Sequence, residues 1–200
     1  PSPVEEVSLQ IDPFIIPLSE SNWRIEDYSG AKSKSDWRVE EGMIVQTSNI
    51  MRGGKQTLED SADVERPGSL YLLEKGPAFG DGKISFEIRS TDNDALGFVL
   101  GYQSPEQYHL WSISSERPYR ALAAKDSEDY RLVADVGEGY QSRAWHDVEV
   151  SIKGDEITVT FDGEEDFKVN DPTFQAGKIG FYTWGNSGSY FRNLRFEPAK

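Results

Sequence analysis

Short runs of alternating apolar and polar residues dominate the chain from about residue 20 onward. Every second residue is apolar over residues 84–89, and the same alternation recurs over 147–152 and 157–161. A period of two is typical of a strand that buries one face and exposes the other. A helical period never holds for three turns, and its best candidate, residues 58–65, is short and acidic. The pattern therefore predicts a chain built almost entirely of β-strands.

Turn residues separate these runs at the spacing that hairpins need. Gly154-Asp155 lies between two of the alternating runs, and Asp162-Gly163 follows the second of them. Both dipeptides accept positive φ angles, which two-residue hairpin turns require. Further strands are predicted over residues 23–28, 43–47, 69–74, 96–102, 108–114, 119–124, 130–135, 178–184 and 190–196.

More than ten short strands with turns rich in Gly, Pro and Asp predict an all-β fold. The chain has 200 residues, well above the roughly 100 of an immunoglobulin-like sandwich. A two-sheet antiparallel jelly-roll sandwich fits this length better. Residues 1–19 are rich in proline and acids and have no clear period, so they are predicted to be a linker or an edge segment. The jelly-roll domain is then expected over residues 20–200.

The charge of the chain limits its partners. Lys and Arg together number 21 and Asp and Glu 35, which gives a net charge of −14. Such an acidic surface repels phosphate backbones and anionic lipids, so we expect no nucleic-acid partner. No apolar run approaches the roughly 18 residues of a membrane helix, so we expect no membrane insertion. Cysteine is absent, which excludes thiol nucleophiles, disulfides and cysteine-ligated zinc.

Two stretches resemble known lectin-like domains. Residues 91–104, which include Gly97-Phe98-Val99-Leu100-Gly101-Tyr102-Gln103, resemble the Asp-rich turn and the next strand of thrombospondin C-terminal lectin-like domains. Tyr108-His109-Leu110-Trp111 is similar to the aromatic strand that follows there. Downstream, the order of motifs from Arg143-Ala144-Trp145 to Tyr190-Phe191-Arg192-Asn193-Leu194 is similar to concanavalin A-like and laminin-G-like jelly rolls in general.

The resemblance covers roughly residues 69–196 and implies a concanavalin A-like jelly roll. Such domains are often secreted, often bear calcium, and serve in adhesion or glycan binding. This chain lacks the cysteines and the calcium-repeat region of thrombospondins, so a bacterial surface module or a polysaccharide-degradation module is the better comparison. We therefore expect a secreted, cell-surface or periplasmic location.

The Asp-rich turn is the candidate metal site. Asp92, Asn93 and Asp94 offer side-chain and carbonyl oxygens, and Ca²⁺ prefers six to eight oxygen ligands. With the family resemblance, these residues predict bound calcium as a cofactor. The alternative is an Asx turn, in which the same side chains accept hydrogen bonds from nearby backbone amides.

Aromatic residues form the candidate ligand site. On the strand over residues 108–114, Tyr108 shares a face with Leu110, and Trp111 lies on the other face with His109. If Phe181 fills the core, Tyr182 and Trp184 look outward or into a groove. Aromatic faces beside a few polar groups suit a glycan cleft, although a sandwich packs aromatics in its core as well. The candidate ligand-binding residues are Tyr108, Trp111, Tyr119, Arg120, Tyr182 and Trp184, whereas Trp37 and Trp145 are expected in the core.

Catalytic signals are weaker than these binding signals. The Glu-x-Asp-x-x-Glu strand of hydrolases with this fold is absent, and His109 has no neighbouring nucleophile in the sequence. The sequence therefore predicts a non-catalytic carbohydrate-binding module whose partner is a glycan or polysaccharide. The alternatives are a protein-binding adhesion domain of a larger surface protein and a polysaccharide hydrolase or lyase.

Overall fold

A computed structural model describes residues 14–28, 33–50, 68–126 and 130–199. Within these ranges the chain forms strands and one short 3-10 turn, Glu20–Asn22. The strands are β1 (Phe14–Ile15), β2 (Trp23–Asp27), β3 (Trp37–Glu40), β4 (Met43–Gln46), β5 (Ser69–Leu73), β6 (Gly82–Ser90), β7 (Ala95–Ser104), β8 (Gln107–Ser114), β9 (Tyr119–Lys125), β10 (Tyr130–Val136), β11 (His146–Lys153), β12 (Glu156–Phe161), β13 (Glu164–Asn170), β14 (Lys178–Trp184) and β15 (Ser189–Pro198). The predicted helical candidate over residues 58–65 lies outside the described residues.

The strands form two antiparallel sheets. One has eight strands in the order β13-β12-β11-β6-β15-β4-β3, with β1 pairing to β15, and the other has seven in the order β10-β9-β8-β7-β14-β5-β2. Neighbours in each sheet are often far apart in sequence, as is usual in jelly rolls. The predicted all-β fold of two antiparallel sheets is confirmed.

The core lies between the two sheets and follows from the alternation in the sequence. In β6, Ile84, Phe86 and Ile88 are buried, and the residues between them are only partly buried. Phe181 of the other sheet packs against Phe86 and Phe191, with ring centroids 5.4 and 4.2 Å apart. This aromatic layer holds the sheets together, since each buried aromatic ring removes a large apolar area from water.

Both predicted hairpin turns are present. Gly154 and Asp155 connect β11 to β12, and Gly154 has a φ of 63°. Asp162 and Gly163 connect β12 to β13 with φ angles of 50° and 83°. Positive φ at both central residues is the signature of the type I′ turn that matches the twist of a hairpin.

Three strands, β1, β3 and β13, were not predicted from the sequence. β13 lies at the edge of its sheet, and its residues, Glu164–Asn170, are mostly charged or polar, which hides the alternation. The predicted N-terminal segment is described only from residue 14, where β1 pairs with β15. In the described part of the chain no helix has the length and apolar character to cross a bilayer.

Candidate functional site

The seven-stranded sheet has a second apolar cluster on its outer face, the face turned away from the eight-stranded sheet. Its residues alternate along the strands with those of the core, so the strands in the middle of this sheet are buried on both sides. The cluster consists of Leu70, Leu72, Ala95, Val99, Tyr102, Tyr108, Leu110, Tyr182 and Trp184, with Tyr130 packed against it. An outer face this rich in aromatics is where a ligand-binding surface could form.

A groove of about 360 Å³ opens on this outer face. We call it the tyrosine groove, and the residues that line it include Glu26, Asp27, Tyr28, Leu70, Tyr108, Lys125, Tyr130 and Tyr182. Strand register explains why they meet. Lys125 of β9 is paired with Tyr108 of β8 on one side and with Tyr130 of β10 on the other. Leu70 of β5 is likewise paired with both Glu26 and Tyr182.

The row Tyr108–Lys125–Tyr130 is held by close contacts. The hydroxyl oxygens of the two tyrosines are 2.6 Å apart, and the Lys125 Nζ lies 5.7 Å from the ring centroid of Tyr108 and 5.2 Å from that of Tyr130. Burial raises the pKa of Tyr108 well above its usual value, so its hydroxyl stays protonated. The row therefore presents a cation beside a hydrogen-bonded pair of tyrosine hydroxyls.

The opposite wall of the groove carries a fixed carboxylate. Glu26 accepts a 2.7 Å hydrogen bond from the Tyr102 hydroxyl and a 2.9 Å hydrogen bond from Arg24 Nη1. Burial, together with Glu26, raises the pKa of Tyr102 to about 12, so this hydroxyl remains a donor. These bonds hold Glu26 as an acceptor on the groove wall.

A second cavity of about 280 Å³ adjoins the groove. Tyr108 and Lys125 line both spaces, and His109, Asp126 and Thr173 also line this one. We call it the histidine cavity. Because His109 alternates with Tyr108 along β8, the histidine cavity lies at the inner side of this sheet edge and the tyrosine groove at its outer side.

The imidazole of the histidine cavity is held by a buried carboxylate. His109 Nε2 lies 3.0 Å from Asp171 Oδ2, and the two side chains are 5% and 2% exposed. Asp171 also accepts hydrogen bonds from Arg131 Nη2 at 2.9 Å and from the backbone N–H and hydroxyl of Thr173 at 3.0 and 2.7 Å. Burial alone would raise the pKa of Asp171, but these hydrogen bonds outweigh it and hold that pKa well below its usual range.

The pKa of His109 is shifted in the direction of a neutral ring. Burial lowers this pKa, and the opposing effect of Asp171 does not cancel the shift. Neutral imidazole and ionised carboxylate are therefore the states at neutral pH.

The predicted ligand-binding residues fall into four groups. Tyr108 and Tyr182 line the tyrosine groove. Trp184 lies on the same outer face, but its side chain is packed in the apolar cluster and only 3% exposed. Tyr119 begins β9, at the opposite end of that strand from Lys125, and is half-buried.

Two of the predicted residues serve the framework instead. Trp111 is completely buried in the core between the sheets, so the prediction that it presents a stacking surface is wrong. Arg120 donates two hydrogen bonds of 2.7 Å to Asp166 and one of 2.8 Å to the Gly139 carbonyl, and its guanidinium lies over the Phe161 ring. Its donors are therefore already used in joining β9 to β13.

Several residues of the site were missed because their position depends on strand pairing. Glu26, Lys125 and Arg131 have no unusual spacing in the sequence. Asp171 is 62 residues from His109 in the sequence, so no local pattern joins the two. A signal existed for Lys125 alone, since a lysine that ends the alternating strand β9 next to two tyrosine-bearing strands indicates a cation among aromatics.

The Asp-rich turn is closed by its own hydrogen bonds. Asp92 Oδ2 accepts bonds of 2.9 and 2.7 Å from the backbone N–H and hydroxyl of Ser187, and Asp92 Oδ1 accepts one from the Asn93 N–H. The Asp92 carbonyl faces the hydroxyls of Tyr140 and Ser142. Because donors surround these oxygens, they fit the Asx-turn alternative and do not fit a cation.

The carbonyls of the other two turn residues also face donors. The Asn93 carbonyl accepts hydrogen bonds from the backbone N–H groups of Ser115 and Glu116, and the Asp94 carbonyl accepts one from the Tyr140 hydroxyl. Among the described residues no group of three or more acidic or histidine side chains is placed to hold a metal ion. Calcium binding by this chain stays a prediction.

Calcium is expected to leave the thermal stability of the protein unchanged, because no open set of oxygens stands ready in the turn. The check is the melting temperature in millimolar calcium against that in excess chelator. A ligand that binds only the folded state raises the melting temperature. A calcium-dependent rise that Asp92→Asn abolishes would contradict this expectation and restore the metal site.

The two-sheet antiparallel sandwich is a jelly-roll domain of the concanavalin A type. The chain belongs to the family of 3-keto-alpha-glucoside-1,2-lyase-like domains, because that family matches residues 19–197. Comparison with curated proteins gives no significant match.

Solved structures share the fold at low sequence identity. The carbohydrate-binding module CBM66 from Bacillus subtilis is 12% identical, with a TM-score of 0.67 over 86% of this chain and 93% of that one. A β-glucanase from Bacillus licheniformis is 10% identical, with a TM-score of 0.60 over 94% and 98%. The galectin LEC-6 from Caenorhabditis elegans is 12% identical, with a TM-score of 0.50 over 61% and 86%. The concanavalin A-like jelly roll is thereby confirmed, and the finer likeness to thrombospondin domains stays a prediction.

Proposed function

We propose that the protein binds a carbohydrate in the tyrosine groove and acts as a non-catalytic binding module. The observation that carries this proposal is the row Tyr108–Lys125–Tyr130 facing Glu26 across an apolar floor. Sugars present both C–H surfaces and hydroxyls, so they suit a cleft with aromatic walls and a few fixed polar groups. Glu26 accepts, and Lys125 donates beside the hydrogen-bonded pair of tyrosine hydroxyls.

The comparisons give this proposal independent support. The family is named for an α-glucoside, and the similar structures are named as a carbohydrate-binding module, a glucanase and a galectin. Those names describe the other proteins. At these identities they share a fold with this chain, and the groove residues carry the argument for its function.

The proposal is tested by titrating the protein with two trisaccharides. Maltotriose represents the α-glucosides of the family name, and a mixed-linkage β-1,3-1,4-glucan trisaccharide represents the ligand class of the glucanases. We expect one of them to bind, and Tyr130→Ala to weaken it about tenfold or more, because an aromatic side chain that stacks on a ligand in a buried site contributes on the order of 2 kcal/mol. Isothermal titration calorimetry measures both.

The matched control is Tyr190→Ala, which removes a half-buried tyrosine from the opposite sheet. This variant should bind like the wild type. Failure of the wild-type protein to bind either trisaccharide, or equal effects of the two substitutions, would overturn the proposal.

A lyase activity, which cleaves the sugar by elimination, is a second candidate function. It is favoured by the family name and by the neutral imidazole of His109 in the histidine cavity. A 1,2-elimination on a 3-keto-α-glucoside takes the C2 proton next to the ketone. The C1–O bond then breaks as a C1=C2 double bond forms, and the leaving oxygen is protonated. Incubation with 3-keto-trehalose distinguishes the two functions, since a lyase releases glucose and a binding module returns the disaccharide unchanged.

Binding of a protein partner remains the other alternative, and salt dependence separates it from glycan binding. An acidic surface that meets a basic partner loses affinity steeply as salt screens the charges. Glycan binding in the tyrosine groove should change little with salt. For the carbohydrate-binding module we also propose a secreted, cell-surface or periplasmic location.

A further inference from the structure

The histidine cavity is a space of its own, on the other side of β8 from the tyrosine groove. Four of the residues that line it, Gln107, Asp126, Thr173 and Gln175, are exposed and form its polar rim, and the buried His109 lies beneath them. Its volume of about 280 Å³ is close to the lower limit of about 300 Å³ for small-molecule pockets. A ligand of one ring fits such a space, and a longer chain does not.

Asp171 fixes which nitrogen of His109 carries the hydrogen. An ionised carboxylate can only accept hydrogen bonds, and the Asp171 oxygens already receive donors from Arg131 and Thr173. His109 Nε2, 3.0 Å away, must therefore be the donating nitrogen. In a neutral ring the other nitrogen, Nδ1, then has a free lone pair and can only accept.

Nδ1 has no hydrogen-bond partner among the residues that the structure describes. The ring is positioned by Asp171 and by an edge-on contact with Phe174, whose centroid is 5.4 Å away. Nδ1 is also not one of the solvent-excluded polar atoms that lack a partner, so part of its surface faces the cavity that His109 lines. Since His109 as a whole is only 4% exposed, Nδ1 is a fixed acceptor at the bottom of a small space.

The charges next to the cavity are balanced. Arg131 Nη2 lies 2.9 Å from the Asp171 carboxylate, and Arg131 Nε lies 3.9 Å from that of Asp126. Lys125 adds a second cation to the lining. Two acids and two bases therefore meet there, which favours a ligand without net charge.

The polar groups that are open to a ligand are mainly acceptors. They are His109 Nδ1, the Asp126 carboxylate and the amide oxygens of Gln107 and Gln175, and only the two amide N–H₂ groups donate. A ligand that complements them must donate several hydrogen bonds and accept a few. Neutral rings that carry several hydroxyls meet this requirement, because each hydroxyl can do both.

We propose that the histidine cavity binds one neutral polyhydroxyl ring of monosaccharide size, through a hydroxyl that donates a hydrogen bond to His109 Nδ1. The site is separate from the tyrosine groove and does not depend on the proposed function of the groove. A ring with an ether or a carbonyl at this point is rejected, because two acceptors would then face each other.

The ¹⁵N resonances of the histidine rings test the site directly, with glucose as the probe. In the ligand-free protein, His109 Nδ1 should resonate as an unprotonated nitrogen and Nε2 as a protonated one. Glucose should shift the Nδ1 resonance and leave the ring of His146 unchanged, since that ring is buried on the opposite sheet and bonded to Asp162 and to the Gln141 carbonyl. Fully O-methylated glucose, which keeps its acceptors and has no donor, should shift neither ring.

Two variants test the same site by substitution. His109→Phe should weaken glucose binding about five- to tenfold, the effect of one lost hydrogen bond. Gln175→Trp fills the rim and leaves the contact between His109 and Asp171 in place, so it should abolish the glucose-induced shift at His109. The matched control is His146→Phe, which should leave that shift unchanged.

Three results would overturn the site: a protonated Nδ1 in the free protein, a His109 resonance that does not move at high glucose, or a full shift in Gln175→Trp. Shifts confined to residues of the tyrosine groove would leave the groove standing and overturn the cavity site. A shift at His109 in a protein that binds neither trisaccharide would refute the groove and support the cavity site.

Discussion

Replacing Trp111 with alanine is expected to lower the free energy of unfolding by about 3 to 5 kcal/mol, as for other fully buried tryptophans. The Trp111 side chain is completely buried, and its ring lies 6.3 Å from the rings of both Phe86 and Phe161. Alanine would leave a cavity between the two sheets that close packing cannot fill. Urea unfolding followed by circular dichroism measures the change.

The matched control for this substitution is Trp145→Ala. Trp145 is only half-buried and has the Arg192 guanidinium 3.9 Å above its ring, so a clearly smaller loss is expected there. If Trp111 were a sugar platform, its removal would reduce ligand affinity and leave stability nearly intact. That combination of results would contradict the placement of Trp111 in the core.

Asp171→Asn is expected to cost about 2 to 4 kcal/mol of stability, because it leaves buried donors without their acceptor. The amide N–H₂ that replaces one oxygen would face the donors of His109 and Arg131, which now converge on a carboxylate. Asp135→Asn, on the exposed side of β10, is the matched control and should change stability by less than about 0.5 kcal/mol. Equal effects of the two substitutions would show that Asp171 does not hold the cavity together.

The same pair makes the protein sensitive to acid. The folded-state pKa of Asp171 lies below its unfolded value, so its contribution is present above that unfolded value and is lost as the pH falls. The pKa of His109 is also lowered in the folded state. As the pH falls through the ordinary imidazole range, the unfolded chain therefore binds a proton before the folded protein does, and the free energy of unfolding falls. Melting temperatures measured from pH 8 to pH 2 should therefore decline on the acid side, and below about pH 4 the decline should be smaller in Asp171→Asn.

The sequence predicts the strands well where each strand has one buried face and one solvent-exposed face. In β6, β11 and β12 the alternation separates core from solvent, and the turns at Gly154 and Asp162 have the residues their φ angles demand. β8 is different, because almost all of it is buried. Alternation divides its residues correctly into two faces, with Tyr108 on one and Trp111 on the other. It does not say which face meets the other sheet.

The candidate site was harder to predict from the sequence, because it depends on strand register and on contacts between distant segments. Lys125 meets Tyr108 and Tyr130 only once β9 is aligned with both neighbours. Trp145 was expected in the core from its apolar character. It lies instead on the outer face of the eight-stranded sheet, where Arg192 stacks on it. Residue type alone could not supply either result.

Amide chemical-shift mapping will show whether the outer face of the seven-stranded sheet holds a sugar. On titration with maltotriose, or with the mixed-linkage trisaccharide if that is the one that binds, the largest shifts should fall on Glu26, Tyr108, Lys125 and Tyr130. Those residues come from four strands, and all of them line the tyrosine groove. Shifts centred on the opposite sheet around Trp145, or no shifts with either sugar, would contradict the account.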